Sequence, residues 1–174
     1  MATCPKCFLN GCYPCEELAN QSISDPLLIG CEDASMGTSI LFVSLLNYLQ
    51  RNPNAHVVLI RKQEIGYGFR LRLLQFQNRS SPLLKQIHIK YLSSASELNQ
   101  FIVASRLSYE YDLLAIDNWG DFFKESTAVV KMSKTLGLLK ELGVPSLLLD
   151  NQLNSTALKE YDSFFRILSI PLAF

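Results

Sequence analysis

Short apolar runs alternate with longer amphipathic stretches along this 174-residue chain. Pro26-Leu-Leu-Ile-Gly30 is a short run ended by glycine and predicts a buried strand. From Ser39 to Gln50 the apolar residues Ile40, Val43, Leu46 and Leu49 recur at helical spacing, and the pattern stops before Pro53. Val57 to Ile60 is a β-branched strand candidate, and Ile87 to Tyr91 alternates as a strand does. Between them, Phe69 to Phe76 leaves helix and loop both open. Ser94-Ala-Ser-Glu97 has the spacing of a capping box and predicts a helix running to about Ser108. Asp112 to Asp117 is the clearest strand of all. Ser126 to Leu142 predicts a long helix closed by Gly143, and Pro145 to Leu149 predicts the strand after it. Thr156 to Tyr161 suggests a short helix and Phe164 to Ile170 a last strand. Strand and helix in turn predict an α/β fold, with a mostly parallel sheet covered on both faces.

Composition bounds this picture. With 48% hydrophobic and 18% charged residues, the chain is globular in character and long enough to bury a continuous core. No apolar run approaches a membrane span. The first 25 residues hold four cysteines and no signal-peptide core, which predicts the cytosol or nucleus, where thiols stay reduced. A compositional boundary near residue 25 divides a Cys-rich tail (1–25) from a domain (26–174). Net charge is zero but unevenly placed. Arg61, Lys62, Arg70, Arg72, Arg79, Lys85 and Lys90 outnumber the single acid Glu64, giving residues 61–90 a charge of about +6. Such an excess attracts phosphate backbones, making Arg61, Lys62, Arg70, Arg72 and Arg79 candidate DNA contacts. A solvated face, or an arm docked on an acidic partner, gives the same composition.

The order strand, loop, helix at residues 26–50 is that of a phosphate-binding loop. Such loops read G-x-x-x-x-G-K-[ST]: the glycines free backbone N–H groups for the phosphates, the lysine neutralises charge, and the hydroxyl holds Mg²⁺. The loop here is Gly30-Cys-Glu-Asp-Ala-Ser-Met-Gly37-Thr38-Ser39. It keeps a glycine at each end and a Thr-Ser pair expected to open the helix, but it has no lysine, and Glu32 and Asp33 stand where phosphates would lie. Like charges in a partly dry site oppose binding. An ordinary strand-turn-helix and a decayed phosphate loop both fit this segment. Asp117, after the run Leu113-Leu-Ala-Ile116, has the setting of a Walker B aspartate, which orients Mg²⁺ and water.

Three stretches together carry a family resemblance. Tyr111-Asp-Leu-Leu-Ala-Ile-Asp117 resembles the Walker B strand of the eukaryotic RecA-like strand-exchange recombinases and their paralogues. Leu138 to Gln152 resembles their long helix, its Gly-Val turn and a strand ending in Asn-Gln, and Leu98 to Leu107 resembles the helix feeding the Walker B strand. The resemblance runs from about Pro26 to Phe174 and implies a RecA-like P-loop core. It makes Gly30, Gly37, Thr38, Ser39, Asp117 and Gln152 the counterparts of a nucleotide site, degenerate here for want of the lysine. The family's catalytic glutamate has no assignable counterpart; Glu64 lies nearby in uncertain register. Both DNA-binding loops look short. These departures resemble the smallest paralogues, among them the ATPase-like partner of SWIM-type zinc-finger proteins in Shu-type complexes and the nematode protein that pairs with a recombinase paralogue. The resemblance therefore implies a nuclear, non-catalytic heterodimeric adaptor without bound ATP. It would assist recombinase filaments on single-stranded DNA, with another paralogue or a SWIM-type protein as partner and the recombinase itself close by. The rivals are a small P-loop ATPase or kinase completed in trans by a partner, and a zinc-containing DNA-binding module.

Other residues add candidate chemistry. Cys4, Cys7, Cys12 and Cys15 form C-x₂-C-x₄-C-x₂-C, a four-thiolate set suited to tetrahedral zinc, although the spacer is short and a tail of incidental cysteines reads equally well. Trp119, Phe122 and Phe123 follow Asp117 at the sheet end where α/β proteins place sites; with Asp117 they are the candidate partner surface, against plain core packing. Phe101-Ile-Val-Ala104 matches the F-x-x-A by which recombinases join, but at helical spacing it reads as packing. His56 and His88, far apart in sequence, have no nucleophile and acid in a triad pattern.

Overall fold

A computed structural model describes residues 26–31, 34–62, 82–108, 111–124, 128–150 and 166–169. Six strands form one sheet: β1 (Leu27–Gly30), β2 (Val57–Arg61), β3 (Ile87–Tyr91), β4 (Leu113–Ile116), β5 (Ser146–Asp150) and β6 (Arg166–Ser169). Among the described residues the longer helices are α1 (Ala34–Arg51), α2 (Ala95–Ser108) and α3 (Ala128–Leu142), with a 3₁₀ turn at Trp119–Phe123. The strand order is β3-β2-β4-β5-β1-β6, and every pairing is parallel. The α/β fold with a parallel sheet flanked by helices is thus the one the alternation predicts, and it is consistent with a P-loop-type core. The order brings β5 between β1 and β4, so the carboxyl ends of β1, β5, β4 and β2 lie side by side.

Both sheet faces are buried, which explains the unbroken apolar runs. Leu27, Ile29, Val57, Leu59, Leu113, Ala115, Leu147 and Leu149 face α1, whose Leu41, Leu45 and Leu49 are almost wholly buried. The alternate residues Leu28, Val58, Ile60, Leu114, Ile116 and Leu148 face α2 and α3. One strand departs from this plan. β3 is the edge of the described sheet, and His88, Ile89, Lys90 and Tyr91 are all exposed. Among the described residues no helix is long and apolar enough to cross a membrane.

Helix boundaries follow capping chemistry. Ser94 Oγ accepts from the Glu97 backbone N–H at 3.3 Å. The Glu97 carboxylate reaches back one residue further than the simple box, accepting from the Ser93 backbone N–H at 2.7 Å and its hydroxyl at 2.8 Å. At the other end of the helical layer, Gly143 takes φ +70° directly after α3, the left-handed closure that glycine permits. Arg106 near the end of α2 pairs with Glu141 of α3 at 3.0 Å, clipping the two helices together at the surface. Within α2, Phe101 packs on the core and stacks on Tyr111 at 6.1 Å, while Ala104 is exposed. The expectations at residues 69–76 and 156–161 lie outside the described residues, as does the Cys-rich tail.

The Ser93 donors hold the Glu97 carboxyl below its usual range. Its stabilisation is therefore present above the unfolded value of 4.5 and is lost as pH falls through the lower folded value. Melting temperature measured against pH will accordingly show a shallower acid limb in Glu97→Gln than in the native chain. Ser94→Ala will lower stability by about 1 kcal/mol at neutral pH, read from denaturant unfolding.

Candidate functional site

Asp117 is the first residue beyond β4, and its backbone N–H still extends the ladder by donating to the Ile60 carbonyl at 2.9 Å. Its side chain is fully buried, and two neighbours converge on it. Thr38 of α1 places Oγ1 at 3.1 Å from both carboxylate oxygens, within donating reach of either. Arg61, the last residue of β2, places Nε at 2.7 Å from Oδ2. The register Ile60↔Ile116 sets Arg61 opposite Asp117, and alternation turns both toward the α1 face. Thr38 is 6% exposed and the Arg61 side chain 12%. A carboxylate taken out of water requires a paired cation and hydrogen bonds, and this site supplies both. Burial pushes the Asp117 carboxyl above its ordinary range. Arg61, the Thr38 hydroxyl and the Asn118 backbone N–H pull the other way, and nearby Asp121 adds to the rise.

Residue by residue, this departs from a phosphate loop. α1 starts at Ala34, earlier than the expected Ser39. Gly37, Thr38 and Ser39 therefore do not open the helix; they lie inside it. Beyond the first four helical residues, backbone N–H groups belong to the helix's own ladder and are not free to surround phosphates. The expectation of a loop from Gly30 to Ser39 is corrected on that ground. Only residues 31–33 separate β1 from α1. Cys31 is buried and extends the sheet, its N–H donating to the Asp150 carbonyl at 3.1 Å. The hydroxyl and carboxylate that would share Mg²⁺ in a working site are bonded directly to each other.

The aromatic cluster is also placed differently from the partner-surface expectation. Asn118 adopts a left-handed conformation (φ 55°, ψ 56°), which turns the chain from β4 into the 3₁₀ turn. That turn folds Trp119, Phe122 and Phe123 back under α3, and they are 0%, 5% and 4% exposed. Trp119 and Phe123 have ring centroids 4.6 Å apart. With Asp117 also buried, these four residues are core and present no surface to a partner in this fold. The turn is fastened from outside: Lys62 Nζ donates to the Asp121 carbonyl at 2.8 Å, and Lys124 pairs with the Asp121 carboxylate at 2.7 Å.

Arg61 is likewise corrected as a DNA contact, because its guanidinium is engaged by a buried carboxylate. Lys62 is partly buried and occupied with the turn. Arg70, Arg72, Arg79, Gln152 and the four tail cysteines, Cys4, Cys7, Cys12 and Cys15, lie outside the described residues. Among the described residues no group of three or more His, Cys, Asp or Glu is arranged to hold a metal.

No family model and no curated protein matches this chain.

Sequence reading missed two members of this end of the sheet. Arg61 was visible only as part of a basic run; its role depends on β2 lying beside β4, which order along the chain does not reveal. Asp150 is 3% exposed at the carboxyl end of β5, where the α/β rule about strand ends would have singled it out. Its carboxylate lies so close to Gly120 that a Cβ there would sit 3.0 Å and 3.1 Å from its two oxygens.

Two outcomes follow. Arg61→Ala leaves a buried charge uncompensated and will cost about 3 kcal/mol of unfolding free energy, whereas Arg61→Met with Asp117→Leu will cost less than that single change. Gly120→Ala will destabilise by about 1–2 kcal/mol through crowding of Asp150, measured by the same denaturant titration.

Proposed function

We propose that this chain is a non-catalytic RecA-like recombinase paralogue and acts as a heterodimeric adaptor. In this reading it works in the nucleus, bound to another paralogue or a SWIM-type zinc-finger protein, and supports recombinase filaments on single-stranded DNA in homologous recombination repair. The observation that carries the non-catalytic half is the Arg61–Asp117–Thr38 cluster. In a working P-loop site the hydroxyl and the Walker-type aspartate hold Mg²⁺, with no cation of the protein's own on that carboxylate. Here a resident guanidinium takes the cation's part, and the hydroxyl satisfies the carboxylate. What supports the family half is the resemblance of residues 98–107, 111–117 and 138–152, together with a strand order that sets the Asp117 strand two places from β1, with β5 between them.

The burial of the aromatic cluster moves the proposed partner contact elsewhere. β3 is the edge strand of the described sheet, its Ile89 and Tyr91 are 37% and 43% exposed, and edge strands can accept an added strand. DNA contact in this reading falls to Arg70, Arg72 and Arg79.

Affinity capture of the tagged chain from its own cells, read by mass spectrometry, tests the reading. A recombinase, one of its paralogues or a SWIM-type protein should dominate the captured set, and Ile89→Lys should reduce that capture while leaving the melting temperature within about 2 °C. Capture without any of these proteins contradicts the assignment.

A further inference from the structure

The chain contains only two histidines, and the sheet brings them together. His56 immediately precedes β2 and His88 is the second residue of β3. The register Val58↔His88 makes them diagonal neighbours across adjacent strands. Alternation sets His56 on the face of Val58 and Ile60, and His88 on the face of Lys90, which is the α2 side of the sheet. Their ring centroids are 6.0 Å apart at an interplanar angle of 61°, and both side chains are exposed. This end of the sheet is the amino end, opposite the Asp117 cluster.

We propose that His56 and His88 form a two-imidazole clamp for a borderline divalent transition-metal ion of the zinc, nickel or copper class. Metal–nitrogen bonds of about 2.0–2.1 Å put the centroids of two neighbouring ligand rings roughly 4.5–5.5 Å apart, so the two exposed rings, at 6.0 Å, need close by only about 1 Å to share one ion. Imidazole favours these ions over Mg²⁺ or Ca²⁺. Two features make the pair more than a chance encounter of mobile side chains. Parallel pairing of β2 with β3 fixes both Cα positions. The Asp112 carboxylate accepts from the His56 backbone N–H at 2.8 Å, anchoring His56 to β4 as well. The same hydrogen bond engages Asp112, consistent with the lack of a third protein ligand among the described residues. Water completes the coordination shell. The Lys90 ammonium, next but one to His88 on the same face, sits over the Phe101 ring at 4.6 Å.

Nickel chloride titrated calorimetrically into the chelator-stripped full chain tests the clamp. The native chain should show a site that weakens by about tenfold or more in His56→Gln and in His88→Gln. It should persist when Cys4, Cys7, Cys12 and Cys15 are all changed to serine. Equal affinity in the native and histidine variants, or loss of binding only in the cysteine variant, overturns the proposal. Should either histidine variant fold poorly, proton spectra of the native chain give the same decision. Substoichiometric Ni²⁺ should broaden both imidazole signals together; broadening of one or neither refutes a shared ion.

Discussion

A buried carboxylate must find a cation, and in this protein the Asp117 charge finds it in Arg61. At 2.7 Å, with the acid fully buried, the pair lies further from water than the Arg106–Glu141 and Lys124–Asp121 pairs do. With Thr38 the cluster draws on three separate elements, α1, β2 and the end of β4. The cluster therefore depends on parallel register as much as on side-chain chemistry: a slip of one residue would turn Arg61 or Asp117 to the opposite face. Attraction alone does not make such a pair favourable, because desolvation opposes it, and burial still leaves the Asp117 carboxyl raised. What the pair imposes is specificity. Once the sheet is formed, neither partner can be removed cheaply, and the space between α1 and the sheet is filled.

Much of the fold was legible in the pattern of residues. The apolar runs at 27–30, 57–60, 113–116 and 146–149 are strands because both faces of a parallel sheet are covered, and all are buried. Gly143 closes its helix as its position suggests, and Ser94 and Glu97 cap theirs. The start of α1 was misread because glycine, threonine and serine are weak helix formers and look like an opening. In the folded chain α1 packs along the sheet through Leu41, Leu45 and Leu49, and that packing outweighs local propensity. The aromatic cluster was read as a surface from its place after a strand end. Asn118 is of a type that tolerates the left-handed turn, but that tolerance does not say that the following rings tuck inward.

Charge was the least legible quantity. A basic run counted along the chain suggested one surface, yet Arg61 and Lys62 are both committed to internal partners on neighbouring elements. Asp117 and Asp150 end adjacent strands, but Asp117 lies toward α1 with Arg61, while Asp150 lies against Gly120 of the 3₁₀ turn. Among the described residues, the two aspartates at the carboxyl end of the sheet thus pack inward on opposite faces. Exposed side chains lie elsewhere, along β3 and at the opposite, amino end where the two histidines meet.

The proposed non-catalytic role rests on Arg61 holding the Asp117 carboxylate that would otherwise orient Mg²⁺. Equilibrium binding of a fluorescent ATP analogue to the isolated full chain, with and without Mg²⁺, tests this most directly. The account predicts no saturable binding up to millimolar nucleotide and no effect of the metal. Micromolar, Mg²⁺-dependent binding that is lost on changing Thr38 or Asp117 would contradict it.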